Sequence, residues 1–251
     1  MIHIKNVTVE GRLDNVTFEI PANQQVHIIG PNGSGKSTLL ASLAGVISYE
    51  GQIILNNTEI STFSLEELSK VRAYLAQNEK PVFNVTVYEY LRLSLPVHVT
   101  LSHKKVTDVV SHLIDLLNVR DKLTSSIHQL SGGEWQRVRI IGCCLQVWPE
   151  LNPDGELLIL DEPAAPLDIG QERYLYSLLN EAKEQGLSVI MANHDLNRSL
   201  QYSEYVVLLS DSKSVCCGMT DEVVTAKTIQ NVFHTGVQQI EIEEKRHLIF
   251  D

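Results

Sequence analysis

A segment near the start, Gly30-Pro31-Asn32-Gly33-Ser34-Gly35-Lys36-Ser37-Thr38, constrains the fold more than any other part of the 251-residue chain. It matches the phosphate-loop pattern G-x-x-x-x-G-K-[ST] at every fixed position. The apolar run Val26-His27-Ile28-Ile29 before it reads as a buried strand, and Leu39–Ala44 after it reads as a helix. Three glycines let the backbone turn sharply, so that successive N–H groups converge on phosphate oxygens. The helix that follows turns its positive end toward the same anion. In that arrangement Asn32, Gly33, Ser34, Gly35, Lys36, Ser37 and Thr38 are expected to bind the phosphates of a nucleoside triphosphate. Lys36 reaches the β- and γ-phosphates, and the Ser37 hydroxyl ligates Mg²⁺. A glycine-rich turn before a helix is the plainer alternative, and the strand–helix context weighs against it.

Further along, the hydrophobic strand Leu157-Leu158-Ile159-Leu160 ends in Asp161-Glu162. Behind a phosphate loop, such a pair supplies the rest of a hydrolytic site: Asp161 holds Mg²⁺ and Glu162 polarises the attacking water. A polar strand end reaching solvent gives the same pattern, so the pair gains meaning only from its company. Ser131-Gly132-Gly133 at a helix start offers a second anion site, or a plain turn.

The composition is that of an ordinary globular chain, with 43% hydrophobic and 20% charged residues. No apolar run approaches the roughly 20 residues needed to span a bilayer, and residues 1–5 lack the apolar core of a signal peptide. A cytoplasmic protein that meets a membrane only through partners is expected. The net charge of −11 argues against a duplex-binding surface, so nucleic acid is not an expected partner. The cysteines form two adjacent pairs, Cys143-Cys144 and Cys216-Cys217, which suit neither a disulfide nor metal-ligand spacing.

Strands are expected over 2–9, 16–20, 52–55, 71–75, 187–192 and 205–209, with a final pair at 238–242 and 246–250. Ser64 is a plausible N-cap for a helix over 65–70. Asn78–Asn84 reads as a surface loop. From Val87 to Leu123 the apolar spacing is helical, with a break near Pro96–Thr100, and another helix runs from the Ser131 turn to about Val147. The fold class is α/β, with an N-terminal antiparallel β subdomain and an inserted α-helical subdomain. Residues 1–77 and 156–251 form the nucleotide-binding core, and 78–155 the helical part.

The order phosphate loop, Gln77, Leu130-Ser131-Gly132-Gly133-Glu134, strand–Asp161-Glu162 and Asn193-His194-Asp195 resembles the nucleotide-binding subunits of ATP-binding cassette (ABC) transporters over nearly the whole chain. The resemblance implies a RecA-like ATPase core. It makes LSGGE the signature segment, with Glu134 where LSGGQ is usual. Gln77 becomes the Q-loop glutamine that touches Mg²⁺, Pro166-Leu167-Asp168 the D-loop, and His194 the switch histidine at the γ-phosphate. It also implies a head-to-tail homodimer in which each phosphate loop faces Ser131-Gly132-Gly133 of the other copy. Two transmembrane permease subunits and, indirectly, a periplasmic substrate-binding protein are the implied partners, at the cytoplasmic face of the bacterial inner membrane. Two features depart from the common pattern. No aromatic residue lies in Val7–Leu13 to stack on adenine, and Ser131 and Asp161 stand 30 positions apart, with Gln146–Glu156 as extra length. Together with LSGGEWQRVR and His194-Asp195-Leu196-Asn197, these features are most similar to the ATPases of bacterial vitamin B12 (cobalamin) importers. Importers of haem or ferric siderophores are the nearest alternative, and a soluble ABC ATPase outside transport is a more distant one.

Overall fold

The computed structural model describes residues 1–77, 81–97, 104–243 and 245–251. The chain divides into two compact units, Met1–Phe63 with Ile190–Asp251, and Ser64–Val189.

The first unit begins with β1 (Ile2–Val9), β2 (Leu13–Ile20), β3 (Gln25–Ile29), α1 (Lys36–Leu43), β4 (Glu50–Leu55) and the short β5 (Thr58–Glu59). β2, β1, β4 and β5 pair antiparallel in that order, with Ile2 opposite Ile20 and Val9 opposite Leu13. Alternation sets which face is buried: Leu13, Val16, Phe18 and Ile20 are interior along β2 while Asp14, Thr17 and Glu19 face water. β2 starts at Leu13, three residues before the sequence-based start at 16. All five residues of β3 are buried, as expected for a central strand that must deliver the phosphate loop.

The second unit opens with α2 (Leu65–Val71), where Ser64 and Glu67 form a reciprocal capping box. β6 (Arg72–Leu75) follows and lies parallel to β7 (Leu157–Asp161), with Arg72 beside Leu157 and Leu75 beside Leu160. Of the loop expected over 78–84, the described part, 81–84, is irregular. α3 (Val87–Leu93) starts at a second capping box, Thr86 with Glu89. α4 (Lys104–Leu116) buries Val106, Val109, Leu113 and Ile114 at helical spacing. α5 (Gly132–Val147) is buried along almost its whole length. The extra segment 146–156 is anchored at Trp148, Leu151 and Asn152, while Glu150, Pro153 and Asp154 face solvent. Trp148 is buried, and Asn152 Nδ2 donates to Lys70 O at 2.7 Å and to Gln146 O at 2.8 Å. α6 (Ile169–Glu184), capped by Asp168, lies in a stretch to which the sequence pattern assigned no element.

β8 (Ser188–Ala192) begins in the second unit, where Ser188 N donates to Glu156 O, and ends in the first, where Asn193 N donates to Ile28 O. The first unit then closes with α7 (Leu196–Tyr202), β9 (Tyr205–Ser210), β10 (Lys213–Met219), α8 (Thr220–Val223), α9 (Ala226–Phe233) and the hairpin of β11 (Val237–Ile242) and β12 (Lys245–Phe250). β9 runs parallel to β3, and β10 pairs antiparallel with β9. The hairpin is fixed at Leu248, whose N–H and C=O both bond to the Asn197 side chain on α7.

Candidate nucleotide site

The phosphate loop hangs between β3 and α1 because its backbone needs conformations open to glycine. Gly33 has φ +80° and Gly35 φ +101°, the left-handed region that side chains avoid. At Gly35 a Cβ would also lie 2.5 Å from Leu13 Cδ2 and 2.8 Å from Arg12 O, so the site excludes any larger residue. Lys36 is buried, and its ammonium donates to Gly30 O at 2.9 Å and Pro31 O at 3.1 Å, which draws the charge across the loop. The first N–H groups of α1 have no acceptor inside their own helix. Ser34 Oγ is 3% exposed as a residue and has no hydrogen-bond partner among the described residues. A buried orphan hydroxyl in the same loop as a buried ammonium fits a phosphate ligand. Asn32, Gly33 and Ser37 are exposed at the mouth, and Thr38 is buried at the base.

In the same unit the turn after β8 carries His194, exposed between Asn193 and Asp195. Asn193 Oδ1 accepts from Asp195 N at 3.1 Å, and Asp195 caps α7 through Arg198 N. Beneath this turn lies a buried polar cluster that sequence reading missed. His27 Nδ1 meets Ser199 Oγ at 3.0 Å, Gln25 Nε2 meets His27 Nε2 at 3.2 Å, and Asn193 Nδ2 donates to Ser199 Oγ at 3.3 Å. Burial pushes the His27 imidazole down to about 3, so it is neutral at physiological pH.

In the second unit, parallel β6 and β7 end side by side, which places the residues just past their ends together. Gln77 Nε2 donates to Glu162 Oε2 at 3.1 Å. Asp161 closes β7 and is buried, and Glu162 is half-buried. Glu162 has φ +50°, a left-handed backbone at a residue other than glycine. Two buried side chains of α5 reach the same region: Gln136 Nε2 donates to Pro163 O at 3.0 Å, and Arg139 donates to Gln136 Oε1 at 3.1 Å and to Ala76 O.

Ser131, Gly132 and Gly133 form the start of α5. The Ser131 side chain accepts from Glu134 N, and Ser131 N donates in return to Glu134 Oε2 at 2.8 Å. Glu134 also pairs with Lys122 at 3.0 Å. The Ser131 N–H, then Lys122, hold the Glu134 carboxyl down at about 2, so it stays ionised. Glutamate in the last signature position therefore acts as a helix cap. Gly133 is closely packed: a Cβ there would stand 2.9 Å from Gln171 Oε1, the end of a movable side chain, and 3.1 Å from Pro166 O. Asp168, exposed at the start of α6, caps it through Gln171 N at 2.9 Å.

A family model described as ABC transporter matches residues 13–165. The chain is 50% identical to the vitamin B12 import ATP-binding protein BtuD of Vibrio cholerae serotype O1, over the whole of both chains. It is 46% identical to the protein of that name in Vibrio campbellii, again over the whole of both. Among solved structures, a bacterial ABC transporter cassette seen as a dimer superposes with a TM-score of 0.75 at 25% identity, covering 88% of this chain and 99% of that one. An ATP-binding subunit of an ABC transporter superposes at 0.77 with 24% identity, covering 93% of each chain. With a nucleotide-binding loop, a signature turn and relatives matched end to end, the chain belongs to the ABC transporter family of ATP-binding cassettes.

Proposed function

We propose that the chain is the ATP-hydrolysing subunit of a vitamin B12 (cobalamin) importer at the cytoplasmic face of the bacterial inner membrane. The observation that carries the cargo is the 50% identity, end to end, with an import ATP-binding protein of that name. The chemistry is supported by the Gln77–Glu162 pair at the ends of β6 and β7.

In this reading the phosphate loop, Asn32–Thr38, binds the triphosphate of ATP, with Lys36 neutralising the β- and γ-phosphates. Ser37, Gln77 and Asp161 would hold Mg²⁺, which would supply positive charge against the charge that develops on the leaving group. Among the described residues no group of three or more His, Cys, Asp or Glu could hold a metal. Glu162 accepts the proton of the attacking water, Gln77 orients that water and carboxylate, and His194 donates to the γ-phosphate. Ser131-Gly132-Gly133 faces the nucleotide of a second copy with the helix-start N–H groups of Gly132 and Gly133, and Asp168 lines the same contact. Hydrolysis removes the phosphate shared by the two copies and lets them part.

Residues 1–77 and 156–251 serve as the nucleotide-binding core and 78–155 as the helical subdomain that meets the membrane subunits. Among the described residues no helix is long and apolar enough to cross a membrane. In this reading partner permeases supply the transport path. Their docking place is a groove of about 550 Å³ lined by Lys70, Phe83, Tyr90, Leu93, Val97 and Asn152. Val82 and Phe83 stand exposed beside it, a surface suited to an amphipathic helix of a permease. A substrate-binding protein acts indirectly, from the far side of the membrane. Pulldown of the wild-type chain from detergent-solubilised bacterial membranes tests this assignment. Recovery of a permease, weakened by Val82→Asp, supports it, and recovery of no membrane protein contradicts it.

A further inference from the structure

The residues before Gln77 and after Glu162 are held by one buried pair of side chains on the signature helix. Gln136 and Arg139 are 4% and 6% exposed and lie three residues apart, on one face of α5. Arg139 donates to Ala76 O, the carbonyl immediately before Gln77. It also donates to Gln136 Oε1, and Gln136 Nε2 donates to Pro163 O, the carbonyl immediately after Glu162. Gln77 Nε2 then donates to Glu162 Oε2 and closes a ring. Gln136 is usable in only one orientation here, since its oxygen must accept from the guanidinium and its amide must donate to the carbonyl.

From this ring we infer that Gln136 and Arg139 are positioning residues for hydrolysis, fixing Gln77 and Glu162 relative to one another and to the signature turn. Two physical needs converge on them. Glu162 sits at φ +50°, a conformation that persists only where its surroundings over-determine it, and the Gln136 bond to Pro163 O restrains the peptide that follows. The Gln77 bond to Glu162 requires two separate strand ends to keep a fixed offset, which a rigid guanidinium–amide link supplies. The same helix begins with Gly132-Gly133, and Gln136 is only three residues on, about 4.5 Å along the axis. The turn that faces the second nucleotide and the groups that direct water to the first therefore move as one piece.

This inference rests on the assignment of Glu162 and Gln77 to hydrolysis, so Glu162→Gln is measured in parallel. Gln136→Met and Arg139→Met keep apolar volume and remove the bonds. Each is expected to lower kcat for ATP about tenfold or more while the ATP Kd stays within about twofold, because the phosphate loop is untouched. The double variant is expected to lose little more than either single one, since one break opens the ring. Arg139→Lys, which keeps one donor, recovers part of the rate. Amide exchange at 76–77 and 162–165 is expected to quicken in the Met variants, and this readout stands whatever Glu162 does. If a Met variant does not fold, Gln136→Glu carries the test, because it keeps the acceptor for Arg139 and loses the donor to Pro163. Folded variants with native kcat and native exchange overturn the inference. So does a parallel fall in kcat and ATP affinity, or losses that multiply in the double variant. Full turnover in Glu162→Gln instead removes the assignment beneath it.

Discussion

The left-handed backbone of Glu162 makes stability and activity separable at a single position. At φ +50° a residue with a Cβ carries roughly 1 kcal/mol of steric cost relative to right-handed backbone. Asparagine is several-fold enriched in that region, which corresponds to a relief of about 0.8 kcal/mol. Glu162→Asn also forfeits the 3.1 Å bond from Gln77, a half-exposed contact worth about 0.5 kcal/mol. The two nearly offset, so the variant is expected to unfold at the wild-type temperature or about 1 °C above it. Its ATPase rate is expected to fall at least about a hundredfold, the scale of a lost general base. Glu162→Val sets the opposite sign, since a β-branched side chain in left-handed backbone should cost more than about 1 kcal/mol. Differential scanning calorimetry and a coupled phosphate-release assay on the three proteins read both quantities. An asparagine variant destabilised by more than about 1 kcal/mol, or one that retains a tenth of the native rate, would refute the reasoning.

The buried His27 makes stability pH-dependent. Its folded pKa of about 3 lies below the ordinary 6.5, so below pH 6.5 the unfolded chain takes up a proton that the folded chain refuses. This contribution to stability is lost progressively as pH falls toward 3, by about 3 kcal/mol at pH 4.5. Denaturant titrations of wild type and His27→Gln between pH 7 and pH 4.5 should converge as pH falls, and a constant gap would contradict the account. Recognition of the base is expected to be loose, because Val7–Leu13 offers no aromatic platform. GTP should compete with ATP within about tenfold, or 1.4 kcal/mol, and a hundredfold preference would show that another residue reads adenine.

Most of the candidate site's local geometry is legible in the sequence because it depends on local backbone. Gly33 and Gly35 announce positive φ, and Ser131 with Glu134 three residues later announces a capped helix start. The apolar run 157–160 announces a buried strand with carboxylates at its end. What stays hidden depends on partners distant in sequence. β10 buries none of its residues fully, and its Ser, Cys and Gly positions carry weak strand preference, so it forms because β9 offers an edge. α6 leaves a signal in Asp168 and in Leu175, Leu178, Leu179 and Ala182, but no chemistry-bearing motif draws the eye to it. Within the extra length, Pro149–Gly155 reads as a loop from its Pro, Asn and Gly residues. Only the bonds of Asn152 to Lys70 and Gln146 show that it is anchored. Gln136 and Arg139 look like polar positions of a helix until α5 is seen to be buried on all sides.

ATP hydrolysis by this chain is expected to drive cobalamin across a membrane. Reconstitution with cobalamin permease subunits in phospholipid vesicles tests this, with the nucleotide site facing the bath and labelled cobalamin bound to its carrier protein inside. ATP-dependent release of label into the bath, absent with Glu162→Gln and with ADP, is the result this account predicts. ATP hydrolysis that proceeds in the presence of bound permease while no cobalamin moves would contradict it and direct the search to a haem or siderophore permease.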